Sequence, residues 1–133
     1  MSRRKARELA FKVIFQVDQV NADPRTAYQY LLEENKLVDS ESEFSWALIE
    51  GCLQHQEEID TMISTYANDW TIDRMSSVDR NLMRVASAEI LFLEGSQAAI
   101  AIDEAIEISK KYGEVNSASF INAILDKINR NKL

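Results

Sequence analysis

Asp103, Glu104 and Glu107 fall within five residues of one another in the stretch IAIDEAIEISKKYG, residues 100–113. Clustered carboxylates are what a metal site or an acid/base pair would use. The spacing favours a plainer reading. Ala101, Ala105, Ile108 and Tyr112 recur at helical intervals, widened by Ile102, Ile106 and Ser109, and the acids fall on the other side with Lys110, Lys111 and Glu114. Early acids and late lysines complement a helix dipole, and Glu107 with Lys111 stands in the favourable i,i+4 order. The cluster reads as the wet side of a helix, and neither a metal nor a cofactor is expected there.

The remaining reactive types point the same way. His55 sits in the polar run QHQEEID, with no residue in a triad context, and reads as a solvated histidine. Cys52 falls on an apolar helix face and reads as a small core residue. One cysteine and one histidine cannot furnish the usual zinc ligands, and a lone cysteine fits a reducing compartment. Three glycines spread over the chain build neither a Walker loop nor a dinucleotide-binding loop. No covalent chemistry is expected, and the chain reads as a non-enzyme.

Binding is a different matter. The net charge of the 133 residues is −7, yet residues 1–12 hold Arg3, Arg4, Lys5, Arg7 and Lys12 against Glu8 alone. Residues 33–60 are the acidic extreme, with nine carboxylates opposed only by Lys36. Such asymmetry implies a polyanion at one end and a basic protein elsewhere. Cations at a helix N-terminus oppose its dipole, so Arg3, Arg4, Lys5 and Arg7 need another justification, and phosphate contacts supply one. Phe11 and Phe15 lie near Arg4 and Arg7 on a helical wheel, where they could stack on unpaired bases or pack into a core. Arg80 and Arg84, at i and i+4 in DRMSSVDRNLMR, could extend a phosphate track, but spacing favours ion pairs with Asp73, Asp79 and their neighbours.

These side chains must be positioned by helices. The first is expected from about Arg3 to Gln19, with Ser2 as N-cap and a stripe of Ala6, Leu9, Ala10, Val13, Ile14, Val17 and Val20. The opposite side holds Phe11 and Phe15, so this helix should lie between two layers. Asp23 with Pro24 opens a second helix. Ser40 with Glu43 and Ser76 with Asp79 are candidate capping boxes. Gly113 should stop the helix of the carboxylate cluster, and Asn116 or Ser117 should cap a last one carrying Phe120, Ile121, Ile124, Leu125 and Ile128. No strand pattern, repeat, linker or membrane-length apolar run interrupts the series. Residues 1–133 read as one all-α domain of about seven helices, in the cytoplasm.

Three stretches together resemble the NusB family of bacterial transcription antitermination factors: SRRKARELAFKVIFQ, DRMSSVDRNLMRVASAEILFL and AIAIDEAIEISKKYGEVNSASFINAILDKI. The resemblance implies two helical sub-bundles sharing the first helix. It implies binding to boxA-type single-stranded RNA of nascent ribosomal RNA transcripts, jointly with the ribosomal protein NusE, in a complex that includes RNA polymerase and other Nus factors. Carried over by position, it assigns Arg3, Arg4, Lys5, Arg7, Phe15, Arg80, Arg84, Asn116, Ser117 and Phe120 to RNA, with Arg80 and Arg84 on an exposed side. It assigns Phe11, Phe15, Asp79 and Asn116 to a protein partner. Phe15 replaces a frequent Tyr, Asp103 an Asn, Ala123 a Gly and Ser119 a basic residue. Two other functions fit the residues: a protein-binding or self-associating module, with a homodimer formed through Phe11 and Phe15, and a detached targeting domain like that of some ribosomal RNA methyltransferases.

Overall fold

A computed structural model describes residues 3–68 and 70–132. Among them seven α-helices follow in order: α1 (Arg3–Val20), α2 (Pro24–Asn35), α3 (Asp39–Gln54), α4 (Gln56–Tyr66), α5 (Ser77–Phe92), α6 (Ala98–Tyr112) and α7 (Ser117–Asn131). A single 3-10 turn, Ile72–Arg74, joins α4 to α5. The all-α bundle expected from the periodicity is what forms. α1 is the shared element: it packs on α2 and α3, and also on α5 and α6, while α4 to α7 pack on one another.

The stripe of α1 explains this position. Ala6, Leu9, Ala10, Val13 and Ile14 are buried, and so is Phe11 on the other flank. Each large apolar side chain so buried contributes about 1.5–3 kcal/mol. Val20, assigned to the stripe by spacing, is exposed because the helix ends there and Asn21 turns left-handed at φ 55°. Ser45 Oγ of α3 donates to the carbonyl of Ala6 at 2.8 Å, a buried polar tie between the two helices.

The expected signals at helix starts form in some places and not in others. Asp23 accepts from the Thr26 amide at 3.0 Å with Pro24 in the first turn, and Ser76 accepts from the Asp79 amide at 3.1 Å, the cap half of its box, while Asp79 Oδ1 returns no bond. The Ser40–Glu43 box does not form. α3 begins at Asp39 behind Val38, so Ser40 is already inside the first turn, and Asp39 and Glu41 meet the dipole instead. The Ser2 cap lies outside the described residues. His55, expected to be solvated, marks the break between α3 and α4; its ring stacks on Phe92 at 3.7 Å and its Nδ1 meets Glu58 Oε1 at 2.9 Å.

Candidate nucleic-acid interface

α6 lies along α1 and runs in the same sense, so successive turns of the two helices meet in order. Arg4 reaches Glu104, Glu8 reaches Lys111 and Tyr112, and Phe11 meets Tyr112. This seam brings the basic N-terminus and the aromatic pair onto one face. It also corrects the reading of the carboxylate cluster, since Glu104, expected on the wet side, is drawn in against α1. Glu104 turns to Arg4, Glu107 pairs with Lys110 at 3.0 Å rather than with Lys111, and Asp103 stays exposed. Among the described residues no three of His, Cys, Asp or Glu converge to hold a metal ion.

At the basic end Arg3, Arg4 and Lys5 are exposed. The Arg3 guanidinium lies 4.1 Å from the Phe44 ring centroid, a cation–π contact that steadies it at the surface. Arg4 donates Nε and Nη2 to the two oxygens of Glu104, both at 2.8 Å. That hydrogen-bonded pairing holds the Glu104 carboxyl below the usual range and raises Arg4. One turn on, Lys111 Nζ donates to Glu8 at 2.9 Å, the Tyr112 hydroxyl donates to the same oxygen, and Lys12 lies at 3.8 Å. Burial alone would raise the Glu8 carboxyl; the bonds from Tyr112 and Lys111 outweigh it and keep the group ionised.

Next along the seam is an aromatic groove of about 210 Å³ lined by Phe11, Lys12, Phe15, Gln16, Val78 and Tyr112. Phe11 is buried at its floor, with ring centroids 5.8 Å from Phe15 and 5.6 Å from Tyr112. Phe15 is half-buried and leaves part of its ring available for stacking. Beyond Val78 the start of α5 opens a larger groove of about 550 Å³, where Asp79, Asn116, Ser117 and Phe120 come together with Trp70 and Arg74. One Asp79 carboxylate oxygen is buried there without a hydrogen-bond partner. Gly113 shapes this corner. A Cβ on it would lie 2.6 Å from Ser117 Oγ and 2.9 Å from the Ser109 carbonyl, so glycine is required by close approach at the α6–α7 corner.

Three of the expected arginines are elsewhere. Arg7 is buried and forked onto Glu89, with Nε to Oε1 at 2.8 Å and Nη2 to Oε2 at 2.7 Å. Arg80 and Arg84 do not occupy an exposed side, and their partners are not Asp73 and Asp79. Arg80 donates to Asp18 at 2.7 Å, and Arg84 forks onto Asp60 at 2.9 Å while reaching Asp18 at 3.5 Å. These carboxylates come from α1 and α4, so the arginines clamp α5 between them. Spacing within α5 could favour ion pairing but could not name partners on other helices. Spacing gives Tyr112, Glu8 and Trp70 no binding role; the Lys-Lys-Tyr run at the end of α6 is the available signal for the first.

Comparison with known proteins bears on this arrangement. A model described as the NusB family matches residues 4–130. The chain is 65% identical over 128 residues to the transcription antitermination protein NusB of Syntrophomonas wolfei, covering 96% of each. It is 41% identical to the protein of the same description from Desulforamulus reducens, covering 99% of this chain and 92% of the relative. Among solved structures, T. maritima NusB superposes with a TM-score of 0.92 at 36% identity, covering 99% of this chain and 93% of that one. A chain in a crystal structure of antitermination factors NusB and NusE with double-stranded RNA superposes with a TM-score of 0.87 at 28% identity, covering 98% of each.

Proposed function

The chain belongs to the NusB family, and from that premise we propose that it is a transcription antitermination factor that holds boxA-type RNA and a NusE protein side by side on the α1–α6 face. The observation that carries this reading is the continuity of that face: exposed cations at Arg3, Arg4 and Lys5, then the groove of Phe11, Phe15 and Tyr112, then the α5–α7 groove. RNA phosphates engage the cations and unpaired bases stack at Phe15. NusE takes the groove of Asp79, Asn116, Ser117 and Phe120, where the Asp79 carboxylate suits a basic side chain. Arg7, Arg80 and Arg84 support the face from behind.

The protein works without catalysis, in the cytoplasm, and as one domain. Through RNA and NusE it joins other Nus factors on RNA polymerase. Few phosphate contacts make binding modest and salt-sensitive, and the partner's own grip raises it. The acidic stretch 33–60 suits a basic ribosomal protein.

Fluorescence anisotropy of a short boxA-type RNA tests this, with and without NusE, at two salt concentrations. Binding should tighten with NusE, weaken with salt and collapse when Arg3, Arg4 and Lys5 are replaced by Ala. Absence of binding in every condition would overturn the reading and favour a protein-only module, or a homodimer that covers Phe11 and Phe15; sedimentation would separate those two.

A further inference from the structure

We propose that Glu104 limits the RNA affinity of the basic face, because its carboxylate occupies the fork of Arg4 that a phosphate must take over. The inference rests on the RNA-binding reading and goes past it by assigning a residue that opposes binding.

Geometry carries it. Arg4 offers Glu104 its Nε and Nη2 together, both at 2.8 Å. That edge presents two parallel N–H groups, the same feature that takes two oxygens of a phosphate. RNA therefore does not meet a waiting cation at Arg4; it exchanges with a carboxylate already there. The Arg4 side chain is 53% exposed and Glu104 only 16%, so the arginine is the partner able to swing outward. The surface hollow lined by Arg3, Arg4, Arg7, Ile100 and Glu104 gives an anion access.

The exchange has a second requirement, that Glu104 not be stranded. Arg7 meets it. Its Nη1 lies 3.9 Å from Glu104 Oε1, and its other donors are locked on Glu89. Once Arg4 leaves, the carboxylate still faces a fixed positive charge. Glu104 thus stands between an outer arginine that can be released and an inner one that cannot. The Arg4–Glu104 ion pair that must break is partly exposed, an interaction of modest strength.

The test is anisotropy with the same single-stranded RNA on the full chain and four variants: Glu104→Gln, Arg4→Ala, the double variant, and Glu107→Gln. Glu107 lies on the same helix and its loss removes the same charge, but it pairs with Lys110. Glu104→Gln should tighten binding about two- to fivefold. It should also steepen the log–log salt dependence by up to about 0.7, the value of one further phosphate contact on a single strand. In the Arg4→Ala background the same change should do little, and Glu107→Gln should tighten binding less than Glu104→Gln.

If the unmodified chain binds RNA but Glu104→Gln binds equally or more weakly with an unchanged circular dichroism spectrum, Glu104 positions Arg4 and the proposal is wrong. Equal tightening by Glu107→Gln, or tightening that survives Arg4→Ala, would reduce the effect to net charge and also overturn it. No RNA binding by any form is a different result: it removes the RNA reading itself, and this inference with it.

Discussion

Arg7 and Glu89 face each other in the interior, both ends of the guanidinium fork engaged and only 9% and 1% of their side chains exposed. Ser96 Oγ donates to the same carboxylate, and the Arg7 guanidinium lies 5.2 Å from the Phe44 ring centroid. The pair therefore joins α1, α5 and the loop after α5 at a point where water cannot compensate either charge. A position that sequence resemblance assigns to RNA is a buried structural pin behind the exposed cations of α1.

Breaking that pair on one side leaves a buried charge without its partner. Arg7→Ala or Glu89→Ala should lower unfolding stability by about 3–5 kcal/mol, read from urea denaturation followed by circular dichroism. The double change Arg7→Met/Glu89→Leu should recover most of the loss. RNA binding lost in an Arg7 variant would then report the fold, whereas Arg4→Ala should lose binding with stability nearly unchanged. Full stability in Arg7→Ala would contradict the assignment.

Asp18 gives a pH signature. Burial alone would raise its carboxyl, but hydrogen bonds from Asn81, Arg80 and Gln19 hold it down at about 2. Its unfolded value is near 3.9. A group depressed on folding contributes stability above its unfolded pKa and loses that contribution as pH falls through the folded one. The window is thus about pH 4 down to pH 2. Discounted for solvent screening, the contribution is on the order of 1–2 kcal/mol. Urea midpoints collected across that range should fall less steeply in Asp18→Asn than in the parent chain. Parallel profiles would show that Asp18 does not drive acid unfolding.

Phe11 and Phe15 are one helical turn apart and should behave differently. Phe11 is buried beneath the groove, so Phe11→Ala should destabilise the fold by about 3–5 kcal/mol through the cavity it leaves. Phe15 is half-buried at the groove surface. Phe15→Ala should weaken RNA binding by about 1–3 kcal/mol, with a smaller stability loss, if bases stack there. Calorimetric unfolding and RNA titration on both variants distinguish the roles. Unchanged RNA binding in Phe15→Ala would move base stacking off this groove.

What was legible in the sequence was what local spacing encodes. The Asp23 and Ser76 caps lie three residues from the amides they serve, and the apolar stripe of α1 repeats within two turns, so both could be read directly. Ser40–Glu43 matches the same pattern and fails, because the helix starts two residues earlier than the box requires. Arg7, Arg80 and Arg84 illustrate the other kind of relationship, one that local spacing does not encode. Their partners stand 82, 62 and 24 residues away, and no local pattern records that a carboxylate on another helix will meet them. Spacing places Tyr112 only on the apolar stripe of α6. Its place in the groove depends on α6 lying beside α1, which is a property of packing.

Gly113 tests the corner that forms the α5–α7 groove. Its φ of −96° is open to any residue, so backbone freedom is not what selects glycine. The constraint is space: a Cβ would lie 2.6 Å from Ser117 Oγ and 2.9 Å from both Ser117 Cβ and the Ser109 carbonyl oxygen. Ser117 cannot simply turn away, because its Oγ accepts from the Glu114 amide at 2.9 Å. Gly113→Ala should therefore destabilise by about 1–3 kcal/mol, as an overpacked site does. Adding Ser117→Ala should not rescue it, since the Cβ and carbonyl contacts remain. The change should also displace Asn116 and Ser117 and so weaken NusE binding, measured by titration of NusE at a temperature where both variants are folded. Full rescue by Ser117→Ala would show that the hydroxyl alone was the obstacle, and unchanged NusE affinity would show that this corner does not shape the partner groove.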